Sequence, residues 1–176
     1  MTYLELVNDV LARLRESTVS TVTQTAYSTL IGKFVNDAKR QVEDAYAWNV
    51  LGTTITVTTS SGTYSYALTG SGQKFQVLDV LNVTSNLRMK NIDFATMNRY
   101  QNFSTPVEEI PAYYAFDGID GSYDTKVTLY PRPDGVYSIP FSLTVPQATL
   151  SSDSTVIKVP DTLVAQNAYA RALVER

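Results

Sequence analysis

Carboxylates are the only side chains in this sequence that could carry general acid–base catalysis. The chain contains 17 Asp and Glu residues but no His and no Cys, which excludes Ser-His-Asp and Cys-His nucleophiles and thiolate zinc sites. Glu108 and Glu109 are neighbours, and on a strand they would point to opposite faces rather than flank one substrate. The sequence therefore predicts a protein that is not an enzyme, with an enzyme such as a carboxylate-based glycosidase as an alternative.

The segment from Asp117 to Asp124 has the composition of a loose calcium loop. Asp117, Asp120 and Asp124 stand around two glycines, but the ordered spacing and the terminal Glu of an EF-hand are missing. Asp and Gly are also the usual residues of turns. The Gly70-Ser71-Gly72 stretch is not followed by the Lys-Ser/Thr of a phosphate-binding loop. We expect turns at both places, and neither a metal nor a cofactor.

Basic residues are spread along the chain and mixed with acidic ones. The net charge is −3 and the isoelectric point is about 4.9, so no general attraction to nucleic acid is expected. The densest basic positions are Lys33, Lys39, Arg40, Arg88 and Lys90. We interpret them as parts of solvated faces.

Tyrosine is the other abundant residue with a possible binding role, at 12 copies. Tyr64 and Tyr66 are two positions apart and would share one face of a strand. There they could form a sugar-binding platform or pair with side chains of the next strand. Both interpretations stay open.

Three amphipathic segments predict helices. Thr2 and Glu5 form a capping box that starts the first helix. Apolar residues at three- and four-residue steps from about Ala26 to Trp48 predict the second, and Pro160-Asp161 starts the last. No segment approaches about 18 consecutive apolar residues, so we expect no membrane span.

Between these helices the apolar period changes to two. Thr53–Thr59 alternates, a Ser-Ser-Gly turn follows, and residues 64–68 return, which predicts a β-hairpin within a run of about six or seven antiparallel strands. Because the strands are consecutive, we predict an α+β fold. Residues 1–50 and 160–176 would form a helical bundle, and residues 51–159 an inserted antiparallel β-sandwich or open barrel.

A second hairpin is predicted from Val127 to Gln147. Its strands would lie near 124–131 and 137–145, around the turn sequence Pro133-Asp134-Gly135. Pro131 and Pro133 have no N–H donor, so we expect this tip to stay free of a further strand. Arg132 is fixed between the two prolines, and we expect it to contact a neighbouring protein chain.

Four stretches of the chain together resemble a known family. They are "LVNDVLARLRE", "IGKFVNDAKRQVEDAYAWNVL", "TTITVTT" and "TLYPRPDGVYSIPF", in this order. This set is similar to the head-to-tail adaptor proteins of tailed bacteriophages, of the tail tubular protein A or gatekeeper class. The resemblance extends over essentially the whole chain.

The resemblance implies a homo-oligomeric ring of twelve copies at the head–tail junction of a virion. Such a ring would bind the portal protein on one side and the tail tube or nozzle protein on the other, with DNA passing through its centre without sequence-specific binding. The protein would be synthesised in the cytoplasm of a bacterial host. A receptor- or carbohydrate-binding β-module of a phage tail is the alternative.

The resemblance also suggests residues for the ring and partner contacts. Charged and polar positions of the second helix, the proline bracket and two C-terminal arginines are the candidates. They are Lys33, Asn36, Asp37, Lys39, Arg40, Glu43, Asp44, Pro131, Arg132, Pro133, Asp134, Arg171 and Arg176. The last helix is expected to continue beyond Arg176, or to end in a tail that reaches the portal.

Overall fold

The computed structural model describes residues 1–103 and 105–175. Tertiary contacts divide the chain into two units, one made of Met1–Leu51 with Pro146–Arg176 and the other of Gly52–Val145. We call them the helical unit and the β unit. Residues 146–159, which the sequence pattern assigned to the β part, have their contacts within the helical unit.

The described residues form four α-helices and ten strands. The helices are α1 (Tyr3–Arg13), α2 (Ala26–Ala45), α3 (Phe94–Asn102) and α4 (Asp161–Glu175), with a short 3-10 helix at Asn49–Leu51. The strands are β1 (Gly52–Thr58), β2 (Ser65–Ala67), β3 (Gln76–Asn82), β4 (Leu87–Arg88), β5 (Lys90–Asn91), β6 (Glu108–Glu109), β7 (Tyr113–Ile119), β8 (Thr125–Tyr130), β9 (Arg132–Pro133) and β10 (Ser138–Thr144). The predicted α+β class is confirmed. Within the described residues, none of the helices has both the length and the apolar character needed to cross a membrane.

Local sequence explains where the helices begin and end. The predicted capping box is present at α1, where Glu5 N donates to Thr2 Oγ1 over 3.2 Å and Thr2 N donates to Glu5 Oε2 over 2.7 Å. The second helix ends at Ala45, three residues earlier than predicted. The Trp48 indole N–H folds back to the Val42 carbonyl at 2.7 Å, and so satisfies one of the acceptors that a helix end leaves free.

The core of the helical unit lies between α1, α2 and α4. Each helix contributes apolar residues at three- and four-residue spacing, and these side chains have almost no exposed surface. The most buried are Leu6, Val7, Val10, Ile31, Val35, Ala38, Val164, Ala165 and Ala168. Gly32 lies on the same side of α2, and its missing side chain leaves room for Tyr3 and Val22.

A polar seam on α2 holds the chain where it returns from the β unit. The seam consists of Asn36, Lys39 and Glu43, all of them buried, and it binds the backbone of residues 147–150. Asn36 Nδ2 donates to the Leu150 carbonyl over 3.1 Å, and Asn36 Oδ1 accepts from Leu150 N at 2.8 Å. This pairing satisfies both backbone groups of Leu150, as a neighbouring strand would.

Lys39 and Glu43 complete the seam as a buried ion pair. Lys39 Nζ lies 3.4 Å from Glu43 Oε1 and donates to the carbonyls of Gln147 and Ala148. Glu43 Oε1 accepts from Gln147 N at 3.1 Å. Burial lowers the pKa of Lys39, and the Glu43 carboxylate opposes that shift. The charge is tolerated here because its donors find several acceptors.

The β unit is a sandwich of two open sheets. The strand orders are β1-β10-β3-β4 and β2-β8-β7-β5. Side chains from both sheets meet in one apolar core, with Val80 and Phe141 from the first and Val127 and Leu129 from the second almost fully buried. Of the two predicted alternatives, the sandwich is therefore the one that forms, and among the described residues no sheet closes into a barrel.

The two predicted hairpins are wrong. The first strand, β1, pairs with β10 over its full length, from Gly52 opposite Thr144 to Thr58 opposite Ser138, while β2 pairs with β8 in the other sheet. Each turn therefore carries the chain across the sandwich instead of back beside itself. An alternating strand buries the same face whether its successor lies beside it or across the core, so periodicity and turn residues did not distinguish the two topologies.

Removing the Lys39 ammonium from the seam is expected to destabilise the protein strongly. Lys39→Met keeps the buried stem but removes the cation that pairs with buried Glu43 and donates to two carbonyls, so the free energy of unfolding should fall by about 3–5 kcal/mol. Urea denaturation measures this change. Lys33→Met is the matched control, because Lys33 is exposed on the same helix, and it should change stability by no more than about 0.5 kcal/mol. Equal effects of the two substitutions would contradict the seam.

Gly32→Ala tests the close packing of α2. Alanine favours a helix over glycine by about 1 kcal/mol, but here the new methyl would collide with the Tyr3 hydroxyl and lie 2.8 Å from Val22 Cγ1. We expect a net loss of about 1–3 kcal/mol in unfolding free energy. Gly121→Ala, which meets nothing within 4 Å, should be close to neutral. A stabilised Gly32→Ala protein would show that the contact is absent.

Candidate interaction surfaces

The structure separates the charged and polar candidates of α2 into two groups. Lys33, Asp37, Arg40 and Asp44 are exposed, as expected of a solvated face. Asn36, Lys39 and Glu43 belong to the buried seam. These three positions follow the helical period directly beside the apolar residues of α2. Assigning a wider buried face to α2 would therefore have placed them in the interior.

The exposed group on α2 meets α4 along one edge. Arg171 Nη1 lies 4.0 Å from Asp37 Oδ2, and Asn167 Nδ2 donates to Gln41 Oε1 over 2.8 Å. The Arg171 Nε is buried without a hydrogen-bond partner. The structure therefore brings two of the predicted residues, Asp37 and Arg171, together within one subunit. The candidate Arg176 lies outside the described residues.

Apolar side chains are exposed at two places on the helical unit. Tyr46, which is 65% exposed, lies with Met1, Trp48 and Val50 along an open cleft of about 480 Å³. The outer face of α4 exposes a second set, Leu163, Leu173 and Val174. Large apolar side chains grouped on a surface are typical of protein–protein contacts.

The proline bracket does pair with another strand, so the expectation of an unpaired tip is wrong. Arg132–Pro133 forms the two-residue strand β9, which runs parallel to Glu108–Glu109 of β6. Arg132 N, the one amide donor between the prolines, donates to the Val107 carbonyl over 2.9 Å, and the Pro133 carbonyl accepts from Gly62 N at 2.8 Å. A proline removes a donor but keeps its acceptor.

The Arg132 side chain is engaged inside the β unit. Its guanidinium carbon lies 4.5 Å from the centre of the Tyr64 ring, and its Nε donates to Gln101 Oε1 over 2.8 Å. Gln101, a buried residue of α3 that the sequence pattern did not indicate, donates in turn to the Leu129 carbonyl over 3.0 Å. Arg132 thus helps to hold α3 against β8.

Three tyrosine rings cluster where α3 packs on the second sheet. Tyr100 of α3 and Tyr130 of β8 have ring centres 4.8 Å apart in a stacked arrangement, and Tyr113 lies 6.5 Å from Tyr100. Together with the guanidinium on Tyr64, these contacts occupy ring faces that a sugar would need. Tyr66, the other platform candidate, donates its hydroxyl to the Thr63 carbonyl over 2.6 Å.

In the acidic segment 117–124, Asp120 and Asp124 lie in a turn, as expected, whereas the expectation is wrong for Asp117, which lies in strand β7. Asp124 accepts from Gly70 N at 3.0 Å and from Gly72 N at 2.9 Å, and these bonds hold the pKa of its carboxyl below the usual range. Asp120 Oδ1 accepts from Ser122 N at 2.8 Å. Within residues 1–103 and 105–175, no group of acidic side chains is arranged to hold a metal ion.

A groove opens along one side of the β unit. It has a volume of about 810 Å³ and lies beside β3, β4, β5 and β7. Its lining combines apolar residues with two basic ones and includes Leu78, Arg88, Lys90, Tyr114 and Phe116. Arg88 Nε lies 2.8 Å from Asp79 Oδ1. No residue of this groove was among the predicted contact residues, and its two basic residues, Arg88 and Lys90, were interpreted from the sequence as parts of solvated faces.

Arg132→Ala tests the docking of α3. The substitution removes the bond to Gln101 and the contact with Tyr64, so the free energy of unfolding should fall by about 1–3 kcal/mol and amide exchange should accelerate in residues 94–102. Arg88→Ala is the control: its side chain is 75% exposed in its ion pair, and such pairs contribute at most about 1 kcal/mol. Unchanged exchange in α3 after Arg132→Ala would refute this docking role.

Comparison with protein families gives one match that spans the chain. The family model described as "SU10 adaptor protein" matches residues 1–176. No curated protein matches the sequence. The match agrees with the resemblance to phage head–tail adaptors, and it implies a structural protein of the virion rather than an enzyme. The chain belongs to the SU10 adaptor protein family.

Proposed function

We propose that this chain is the subunit of a ring that joins the capsid portal to the tail of a bacteriophage. The observation that carries the proposal is the match of the whole chain, residues 1–176, to the adaptor family. The proposed ring has twelve copies, and the subunit is of the tail tubular protein A or gatekeeper class. Its neighbour on the tail side is a tail tube or nozzle protein.

Exposed apolar surface supports assembly. A closed ring of identical subunits needs two different surfaces on each subunit, because every contact is head-to-tail. The helical unit offers the Tyr46 cleft and the outer face of α4, and the β unit offers its groove. In the ring, such surfaces would be covered by neighbouring subunits or by the portal.

The exposed charges of α2 remain candidates for contacts between subunits. Lys33, Asp37, Arg40 and Asp44 alternate in sign along an accessible face, so they can pair with a neighbour in a defined register. Lys39 and Glu43 would contribute only indirectly, by fixing the seam. In the proline bracket, Asp134 is exposed and accepts from the Tyr137 hydroxyl at 2.5 Å, while Arg132 and Pro131 are partly accessible.

A ring at this position would surround the DNA channel. The net charge of −3 gives the subunit no overall attraction for the phosphate backbone, which suits passage of DNA without retention. DNA is therefore proposed as a passing occupant of the channel, and the portal and tail proteins as the bound partners.

A carbohydrate- or receptor-binding module of a phage tail is the alternative function. The tyrosines of the β unit suggested it, and exposed stacked rings would favour it. However, Tyr130 is covered by Tyr100 and one face of Tyr64 by Arg132. We therefore prefer the adaptor.

The proposal is tested by mixing the purified chain with the portal protein of the same phage and imaging the complex. We expect a ring of this chain docked coaxially on the portal, and twelve copies by mass photometry. The chain alone, measured at the same concentration, controls for assembly without the portal. A monomer or trimer that ignores the portal and binds glycans would refute the adaptor and support the alternative.

A further inference from the structure

The groove of the β unit lies between two strand edges that are only partly paired. On the side away from β10, β3 pairs with β4 at Leu81 and Asn82, and the Val80 carbonyl accepts from Met89 N at 2.9 Å. On the side away from β8, β7 meets β5 only at Tyr113 and Tyr114. Among the described residues, no strand continues these ladders beside Gln76–Asp79 or Ala115–Ile119. The backbone N–H and C=O groups of an unpaired strand edge can form hydrogen bonds with an added strand.

The groove has the side chains to hold an added strand. Leu78 is 54% exposed and lines the groove with Phe116, which provides apolar contact for alternate residues of an incoming segment. Arg88 and Lys90 stand at the same groove with one acidic residue, Asp79. The groove therefore carries one more positive charge than negative, and it favours an acidic, apolar occupant.

The chain itself contains a segment of this chemistry. Val107-Glu108-Glu109-Ile110 places two exposed carboxylates between two exposed apolar residues, with Ile110 47% exposed. The segment is already extended, because Glu108–Glu109 pairs with β9. Its other edge has no strand partner among the described residues. Its charge of −2 complements the groove.

We propose that the Val107–Ile110 segment of one copy adds as a strand to the open edge of β3 in the groove of a second copy. Ile110 would then lie against Leu78, and Glu108 or Glu109 near Lys90. The segment and the groove share no residue, so each subunit can donate one and accept another, which is the head-to-tail arrangement that a ring requires. The inference rests on the proposed ring and assigns one of its contacts.

Disulfide trapping tests the contact directly, because the chain has no native cysteine. A tagged Leu78→Cys protein is mixed with an untagged Ile110→Cys protein under mild oxidation. We expect a product of tagged plus untagged mass, on the order of tenfold more abundant than with the control. The control replaces the second partner by Val156→Cys, since Val156 is 59% exposed and lies outside both the groove and the Tyr46 cleft. Equal yields with both partners would overturn the proposal.

A charge exchange provides the second test. Lys90→Glu and Glu109→Lys should each weaken self-association on the order of tenfold, because each places like charges opposite one another. The double variant restores the opposite pair and should regain most of the affinity, measured by sedimentation velocity. Lys126→Glu, a β8 residue outside the groove, controls for net charge. Additive losses in the double variant would contradict the contact.

The failure of this contact is distinguishable from failure of the adaptor function. If rings form on the portal but Leu78→Cys and Ile110→Cys subunits do not cross-link within them, the strand addition is wrong and the adaptor stands. If the portal recruits no ring while the cross-link forms in solution, the strand addition holds and the adaptor function is wrong.

Discussion

The path of the chain from the β unit into α4 depends on how α2 binds the returning segment. Three side chains of one helix face, Asn36, Lys39 and Glu43, satisfy backbone groups of residues 147–150 that have left one sheet and entered no other. Buried backbone groups without partners are costly. The seam supplies those partners, and it therefore fixes where the chain begins its approach to α4.

The β unit is stabilised in a different way from the helical unit. At the two turns that were predicted to close hairpins, the chain crosses between the sheets, so β1 does not pair with β2 and β8 does not pair with β10, whereas β7 and β8 do pair. Stability comes instead from the shared core and from long-range pairs such as β1 with β10. Arg132 and Gln101 then hold α3 on the outside of the second sheet. The proline bracket is thus part of the internal framework of this unit.

Sequence reasoning succeeded where a local signal determines the structure. Thr2 and Glu5 predicted the start of α1, and the apolar steps of α2 predicted its buried ridge. It failed where the outcome depends on distant partners. Lys39 and Glu43 resemble a surface ion pair until residues 147–150 lie against them, and Pro-Asp-Gly has the same form in a hairpin and in a crossing between sheets. The groove could not be predicted from the sequence for the same reason, since its lining combines residues of β3, β4, β5 and β7.

Membership of the adaptor family implies contacts with portal and tail proteins. A fold of two units suits a subunit that contacts several neighbours at once. The most direct measurement is an image reconstruction of the neck of the intact virion. We predict density between portal and tail that fits this chain as a closed ring, with both units accounted for in each copy. A neck in which no density fits the fold, or in which the chain occupies only the distal tail, would contradict the account.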